Sequence, residues 1–431
     1  MYRKIINFLE TWKHSSYRKP LILQGARQVG KTYSILEFGR TNYENVAYFN
    51  FETNPKLNKT FEENISPDYL IPILSHIAQQ TIVREKTLIV FDEVQLCERA
   101  LTSLKYSCED APEYHVIVAG SLLGVAVNRA SFSFPVGKVD IKTLYPMDME
   151  EFMLAWGEDT LVEQIKKCFK TDTPLPSALH DRAMELYRQY LVIGGMPECV
   201  MQFVETKDYI LVRHTQNTIL QSYLNDMSKY NTLNEIKKTR LVYDNITVQL
   251  SKKNTRFQYK LIKKGGRAAE FENSIQWLCL SGIVSQVYKT EQIKKPLENY
   301  RDIDAFKIYV SDLGLLCAKK DLAANDILYM VEEINDFKGG MAENYVNVQL
   351  TINGYQTYYW ESPRGAEIDF IIQREGRLIP IEVKSADNTR AKSLKVYIET
   401  YKPDYAIKLS AKNFSFEDGK KTVPLYAAFC I

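Results

Sequence analysis

No run of apolar residues in the 431-residue chain approaches the ~20 that a membrane-spanning helix needs, which argues against a membrane protein. The chain also lacks any Cys-x-x-Cys pair. Its seven cysteines, at 97, 108, 168, 199, 279, 317 and 430, are odd in number and scattered. That pattern argues for reduced thiols and against a zinc site or a disulfide framework. A surplus of one charge is missing too: 55 Lys and Arg against 53 Asp and Glu leave a net charge of +2. No global field therefore draws the chain to nucleic acid or membrane, and any such attraction must be local. Met1-Tyr2-Arg3-Lys4 leads into Ile5, Ile6, Phe8, Leu9 and Trp12, an amphipathic stretch too short and mixed for a signal peptide. The expected compartment is the cytoplasm. What remains is the composition of a globular protein, 45% hydrophobic and 25% charged, with a length that calls for two or three domains.

Gly25-Ala26-Arg27-Gln28-Val29-Gly30-Lys31-Thr32 matches G-x-x-x-x-G-K-[ST], the phosphate-binding P-loop. The apolar run Pro20-Leu21-Ile22-Leu23-Gln24 before it has the length of a buried parallel strand. Ile35, Leu36 and Phe38 after it suit one face of a helix. The two glycines let successive N–H groups aim at phosphate oxygens, and the helix adds its positive end. Lys31 is expected to reach the β and γ phosphates, and Thr32 to place its hydroxyl on Mg²⁺.

Three further strand-like runs follow, Val46–Phe51, Thr87–Glu93 and His115–Ser121, with helical segments between them. That is the βα alternation of a parallel α/β sheet. Leu88 to Phe91 end in Asp92-Glu93, the form of a Walker B strand. Asp92 would hold Mg²⁺ through its water shell, and Glu93 would polarise the attacking water as general base. Gln95 follows at a spacing that reaches the same sheet edge. Ser121, ending the last strand, is either a γ-phosphate sensor or a helix cap. Glu93 and Lys31 are the catalytic candidates, with ATP and Mg²⁺ as cofactors.

In these motifs the chain resembles the prokaryotic AAA-type P-loop ATPases that carry a C-terminal, PD-(D/E)xK nuclease-like domain of unknown function. Tyr145-Pro146-Met147-Asp148-Met149-Glu150-Glu151-Phe152 is similar to that family's "PlsfeEF" segment, and Gly194-Gly195-Met196-Pro197-Glu198 to its "GGMPE". Lys307 to Leu316 resembles another family segment, in which Asp312 would cap the following turn. Where those proteins usually carry Gly-Arg, this chain has Gly137-Lys138. Lysine supplies a point charge without the bidentate fork. Arg129, or an arginine from a neighbouring copy in a homo-oligomer, is an alternative source.

From Leu161 to Asn231 the pattern is helical and broken at 194–197, and is read as the lid of the ATPase domain. Arg213 and His214 there face either the nucleotide or solvent. Between Ser251 and Glu270 the balance turns basic, with Lys252, Lys253, Arg256, Lys260, Lys263, Lys264 and Arg267. A helix, a basic turn, a second helix and a β-ribbon suggest a winged helix, used either for DNA phosphate contact or for packing between domains.

In the last hundred or so residues, Gly339-Gly340 is expected to open a helix carrying Glu343. Strands at 367–372 and 378–384 are expected to pair as a hairpin. Asp369 with Glu382-x-Lys384 then forms the D…ExK arrangement of PD-(D/E)xK nucleases. Period 2 puts Glu382 and Lys384 on one face. Glu343, Asp369 and Glu382 could bind Mg²⁺, with Lys384 orienting water. Glu367 is an alternative to Asp369 on that strand.

The fold class expected is α/β, in three parts. They are a P-loop AAA-type ATPase domain with helical lid (1–232), a winged-helix-like domain (233–325) and a restriction-endonuclease-like α/β domain (326–431). The leading function is ATP hydrolysis coupled to a DNA-handling C-terminal module. The alternatives are a nucleotide-switched DNA- or protein-binding regulator without cleavage, and an ATP-dependent metal nuclease of a defence or mobile-element system.

Overall fold

A computed structural model describes residues 1–121, 134–229, 232–252, 256–385 and 392–431. Expectations for Arg129, Lys253 and the residues just after Ser121 lie outside the described residues. The chain forms two compact units. One comprises Arg3–Tyr145 with Leu280–Gly282, the other Met1–Tyr2, Pro146–Cys279 and Ile283–Ile431.

The first unit is built on a five-stranded parallel sheet in the order β2-β3-β4-β1-β5. Its strands are β1 (Leu21–Gln24), β2 (Asn45–Asn50), β3 (Thr87–Asp92), β4 (His115–Gly120) and β5 (Asp140–Thr143). β3 and β4 are buried along their whole length, because helices on both faces leave a parallel strand no solvent side. The helix Lys31–Asn42 buries Ser34, Ile35, Phe38 and Gly39. Leu36, expected on that face, is only half-buried, since positions 34, 35, 38 and 39 share the helical stripe. A Cβ on Gly39 would stand 2.6 Å from Val46 Cγ2, so the helix can approach β2 only with glycine there. All the loops that follow β1, β3 and β4 leave the same carboxyl edge of the sheet. Ligands of open α/β sheets collect at that edge.

The second unit combines helices with an eight-stranded mixed sheet, order β12-β13-β11-β10-β9-β8-β6-β7. Its strands are β6 (Val284–Thr290), β7 (Arg301–Val310), β8 (Tyr358–Glu361), β9 (Glu367–Arg374), β10 (Arg377–Val383), β11 (Ala406–Ser410), β12 (Ser415–Glu417) and β13 (Lys420–Pro424). The ribbon β6–β7 does not stand by itself: β6 pairs in parallel with β8 at Tyr288↔Tyr358 and Lys289↔Tyr359. The helices Asp159–Thr171, Ser177–Ile193, Pro197–Thr206 and Tyr209–Lys229, expected as an ATPase lid, also lie in this unit. Glu375 and Gly376 join β9 to β10 with φ of 49° and 74°, the positive pair that a tight two-residue hairpin needs.

The helix carrying Glu343 starts at Asn335, earlier than expected. Gly340 lies inside it because a Cβ would stand 2.1 Å from Leu250 O, so the glycine serves close packing instead of a helix start. Asn344 from this helix bonds both the N–H and the C=O of Val310, each at 2.8 Å, and ties the helix to β7. The family-like segments converge on Asp312. Its carboxylate accepts from Leu315 N at 2.8 Å, as a cap, and from Gly195 N at 2.6 Å. A Cβ on Gly195 would meet Met147 O at 2.0 Å, which accounts for the Gly-Gly break.

Candidate nucleotide site and C-terminal carboxylate cluster

Gly25 takes φ 148°, and a Cβ there would stand 2.1 Å from Leu144 O. Gly30 takes φ 89° as the residue before the helix Lys31–Asn42, and Gln28 is also left-handed at φ 65°. The loop therefore curls through positions that favour glycine and ends on a helix N-terminus. Ala26 and Val29 are buried beneath it, while Arg27 is half-buried. The Lys31 ammonium, 8% exposed, folds back on the loop and donates to Gly25 O at 2.9 Å and Ala26 O at 2.8 Å.

Thr32 Oγ1 donates to Asp92 Oδ2 at 2.8 Å, bringing the loop and the end of β3 together. Asp92 is 5% exposed, and its other oxygen accepts from Glu93 N at 3.0 Å. Glu93 adopts φ 51°, ψ 39°, a left-handed conformation uncommon for glutamate that turns the chain sharply at the sheet edge. Burial raises the Glu93 carboxyl above the usual range, opposed by the hydrogen bond from Gln95 Nε2. The Lys31 charge is also felt there. Ser121, buried, directly follows β4, which lies between the Walker B strand and the P-loop strand.

Lys138 pairs with Glu109 at 2.8 Å. Arg213 donates to Leu322 O at 2.6 Å within the second unit, and His214 is exposed.

Two residues of this site carry no motif. Tyr48 on β2 donates to Asp92 Oδ2 at 2.7 Å, sharing that oxygen with Thr32. Burial pushes its phenol up to about 12, with the acceptor carboxylate adding to the shift. Its only sequence signal is alternation: Ala47 and Phe49 are buried, so Tyr48 and Asn50 point the other way. Arg3 is the other, and its guanidinium donates to Val29 O within the loop.

In the second unit, the β9–β10 register runs Arg377↔Arg374 to Ile381↔Phe370, and one more step sets Glu382 opposite Asp369. Val383 N donates to Asp369 Oδ2 at 2.7 Å, and Lys384 pairs with Glu382 at 2.8 Å. Glu343, close enough for its charge to act on Asp369, has partners of its own. Its Oε2 takes the Lys307 ammonium at 3.3 Å and the Tyr309 hydroxyl at 3.1 Å. Lys307, 1% exposed, also pairs with Glu367. Nothing in the sequence singled out Lys307, a lysine among the apolar residues of 305–310. Burial works to lower Lys307, but Glu343 and its neighbours outweigh it and hold the ammonium well above its usual range. Burial, with Glu343 next, pushes Asp369 up to about 8.

Among the described residues no three His, Cys, Asp or Glu gather in a group that could hold a metal ion. Asp369 and Glu382 sit side by side, and Glu382 Oε2 is buried without a hydrogen-bond partner. Of the expected set, Glu343 is the member whose Oε2 is already engaged, by Lys307 and Tyr309.

Of the basic cluster, Lys252, Lys260, Lys263, Lys264 and Arg267 are exposed and Arg256 is half-buried. Lys263 pairs with Glu270 at 2.9 Å, and Arg256 donates to Asp304 O at 3.3 Å. On the helix Ala268–Leu280 the outward residues are Ala268, Ala269, Glu272, Asn273 and Gln276, so its own exposed face is not basic.

Residues 17–153 match the family model described as an AAA domain. The N-terminal region is thus an AAA-type P-loop domain. Residues 184–326 match a domain of unknown function (DUF8612) and residues 338–428 another (DUF4143). No curated protein matches the chain. Among solved structures it is similar to C. elegans PCH-2, at 11% identity over 48% of this chain and 63% of that one, TM-score 0.29. It is also similar to the Aeropyrum pernix ORC1 protein in complex with DNA, at 12% identity over 74% and 91% of the chains, TM-score 0.28. For Thermotoga maritima RuvB the identity is 13% over 67% and 88%, TM-score 0.29. No helix is long and apolar enough to cross a membrane among the described residues.

Proposed function

We propose that the AAA-type domain binds and hydrolyses ATP, and that its nucleotide state controls a DNA-handling C-terminal unit. The observation that carries the first half is the 2.8 Å bond from Thr32 to Asp92, with Lys31 and Glu93 beside it. A phosphate chain would lie along the loop from Gly25 to Thr32 and take the Lys31 ammonium from its two carbonyls. Thr32 and Asp92 offer the hard oxygen ligands that suit Mg²⁺, which would neutralise phosphate charge. Glu93, raised by burial, is placed to accept a proton from water, and Gln95 holds its carboxylate in position. Ser121, directly after β4, would read the γ-phosphate.

For the C-terminal unit, the Asp369, Glu382 and Lys384 arrangement supports a nuclease-like fold, and the element order 233–310 supports a winged helix. Asp369 and Glu382 are the residues that would hold a divalent ion. The engagement of Glu343 by Lys307 favours the alternative of DNA binding without cleavage. One preparation tests both halves: ATP hydrolysis and DNA cleavage are measured with and without DNA, in wild type, Lys31→Ala and Asp369→Ala. Hydrolysis that survives Lys31→Ala contradicts the ATPase assignment. Cleavage lost in Asp369→Ala establishes a nuclease. Salt-insensitive DNA binding removes the role of the 252–267 cluster.

A further inference from the structure

Arg3 is a buried charged residue, 5% exposed, that neither the P-loop nor the Walker B motif includes. Its Nη1 donates to Val29 O at 2.9 Å, inside the phosphate loop. Its Nη2 donates to Tyr145 O at 2.8 Å, after β5. Tyr145 is the last residue of the first unit before the chain passes into the second at Pro146. Independent contacts fasten the same two segments. Leu144 N donates to Gln24 O at 2.8 Å, Gln24 Nε2 to Thr143 Oγ1 at 3.2 Å, and Leu144 O lies where a Cβ of Gly25 would be. The start of the loop is thus tied to 143–144 by backbone packing, and its far end to 145 by one guanidinium.

We infer that Arg3 is a positioning residue that couples the phosphate loop to the 143–147 exit segment, so that nucleotide binding at the loop is transmitted to the start of the second unit. The inference rests on ATP binding at the loop. The physical basis is the planar trans peptide: the carbonyl of Val29 and the N–H of Gly30 point in opposite directions. Holding Val29 O on Arg3 therefore turns the Gly30 N–H to the other side of the peptide, as an anion cradle of successive N–H groups requires. A planar guanidinium with two donors in a fixed fork can hold two carbonyls at a set separation, which a lysine ammonium does less well. When phosphate draws on the loop N–H groups, the Val29 peptide shifts, and Arg3 passes that shift to Tyr145.

The test is hydrogen exchange on the full chain, with and without a non-hydrolysable ATP analogue and Mg²⁺ at saturation. In wild type the analogue is expected to slow exchange both in the loop and across 143–149. In Arg3→Gln, nucleotide affinity should fall about tenfold from the lost charge-assisted bond. At saturation the loop should still be protected while the part of 143–149 beyond the Leu144–Gln24 tie no longer responds. Arg3→Lys, which keeps the charge and one donor direction, should restore part of the 143–149 response. It also carries the test if Arg3→Gln does not fold. A purely structural role would lower thermal stability in both variants yet leave the two responses linked, and that result overturns the inference. So does a wild-type 143–149 segment that ignores nucleotide while the loop responds. A wild-type loop that itself ignores nucleotide overturns the ATP assignment, and this inference with it.

Discussion

Two buried lysines with carboxylates near them, one in each unit, are held differently. Lys31 rests on the neutral carbonyls of Gly25 and Ala26. Lys307 is clamped between the carboxylates of Glu343 and Glu367. Neutral backbone acceptors in a surface loop can be exchanged for phosphate at little cost. A buried ion pair cannot be opened without leaving a charge uncompensated in a low-dielectric interior. The first arrangement is built to trade partners, and the second to stay closed. The same residue type is therefore held by exchangeable neutral acceptors in one unit and by a closed ion pair in the other.

The largest effects should separate the two lysines. Lys307→Met is expected to cost about 3–5 kcal/mol in denaturant unfolding, because Glu343 and Glu367 lose their buried partner. Lys31→Met should cost only about 1–2 kcal/mol, from two bonds to backbone, yet lose ATP binding in a fluorescent-nucleotide titration. Equal stability losses for the pair would break the comparison.

A smaller effect tests the shared oxygen of Asp92. Tyr48→Phe removes one donor and leaves Thr32 in place, so stability should fall by about 1 kcal/mol. ATPase activity should drop only a few-fold, by roughly the same free energy. An unchanged rate and stability would make the Tyr48 contact incidental. The smallest effect is a displacement in pH. Gln95 holds the Glu93 carboxyl below where burial alone would put it. Removing it with Gln95→Ala should raise that carboxyl further, and the base must be ionised to work. The acid limb of the pH–rate profile should therefore move to higher pH, with little change on the alkaline side. A shift to lower pH would contradict Glu93 as the base.

The geometry of the phosphate-loop sequence and of the Asp92-Glu93 turn was legible because each part is local in sequence. A strand, a glycine loop and a helix are contiguous from Leu21 to Asn42, and Asp92-Glu93 closes a run of four apolar residues. The β9–β10 hairpin was legible for the same reason, since Glu375-Gly376 sits between two alternating runs. Tyr48, Arg3 and Lys307 were not, because their partners lie far along the chain and no periodicity marks them. The helix start at Asn335 was missed because glycines at 339 and 340 read as a boundary, whereas Gly340 makes room for Leu250. The junction of β6 with β8 was hidden as well. A ribbon's strands show alternation, but not which third strand they will join.

The most direct measurement of the central claim is single-turnover ATP hydrolysis by Glu93→Gln beside a nucleotide-binding titration on the same sample. ATP affinity is expected within a few-fold of wild type and hydrolysis slower by roughly 10²–10⁴-fold, the usual worth of a positioned general base. Hydrolysis at the wild-type rate with Glu93→Gln would contradict that claim.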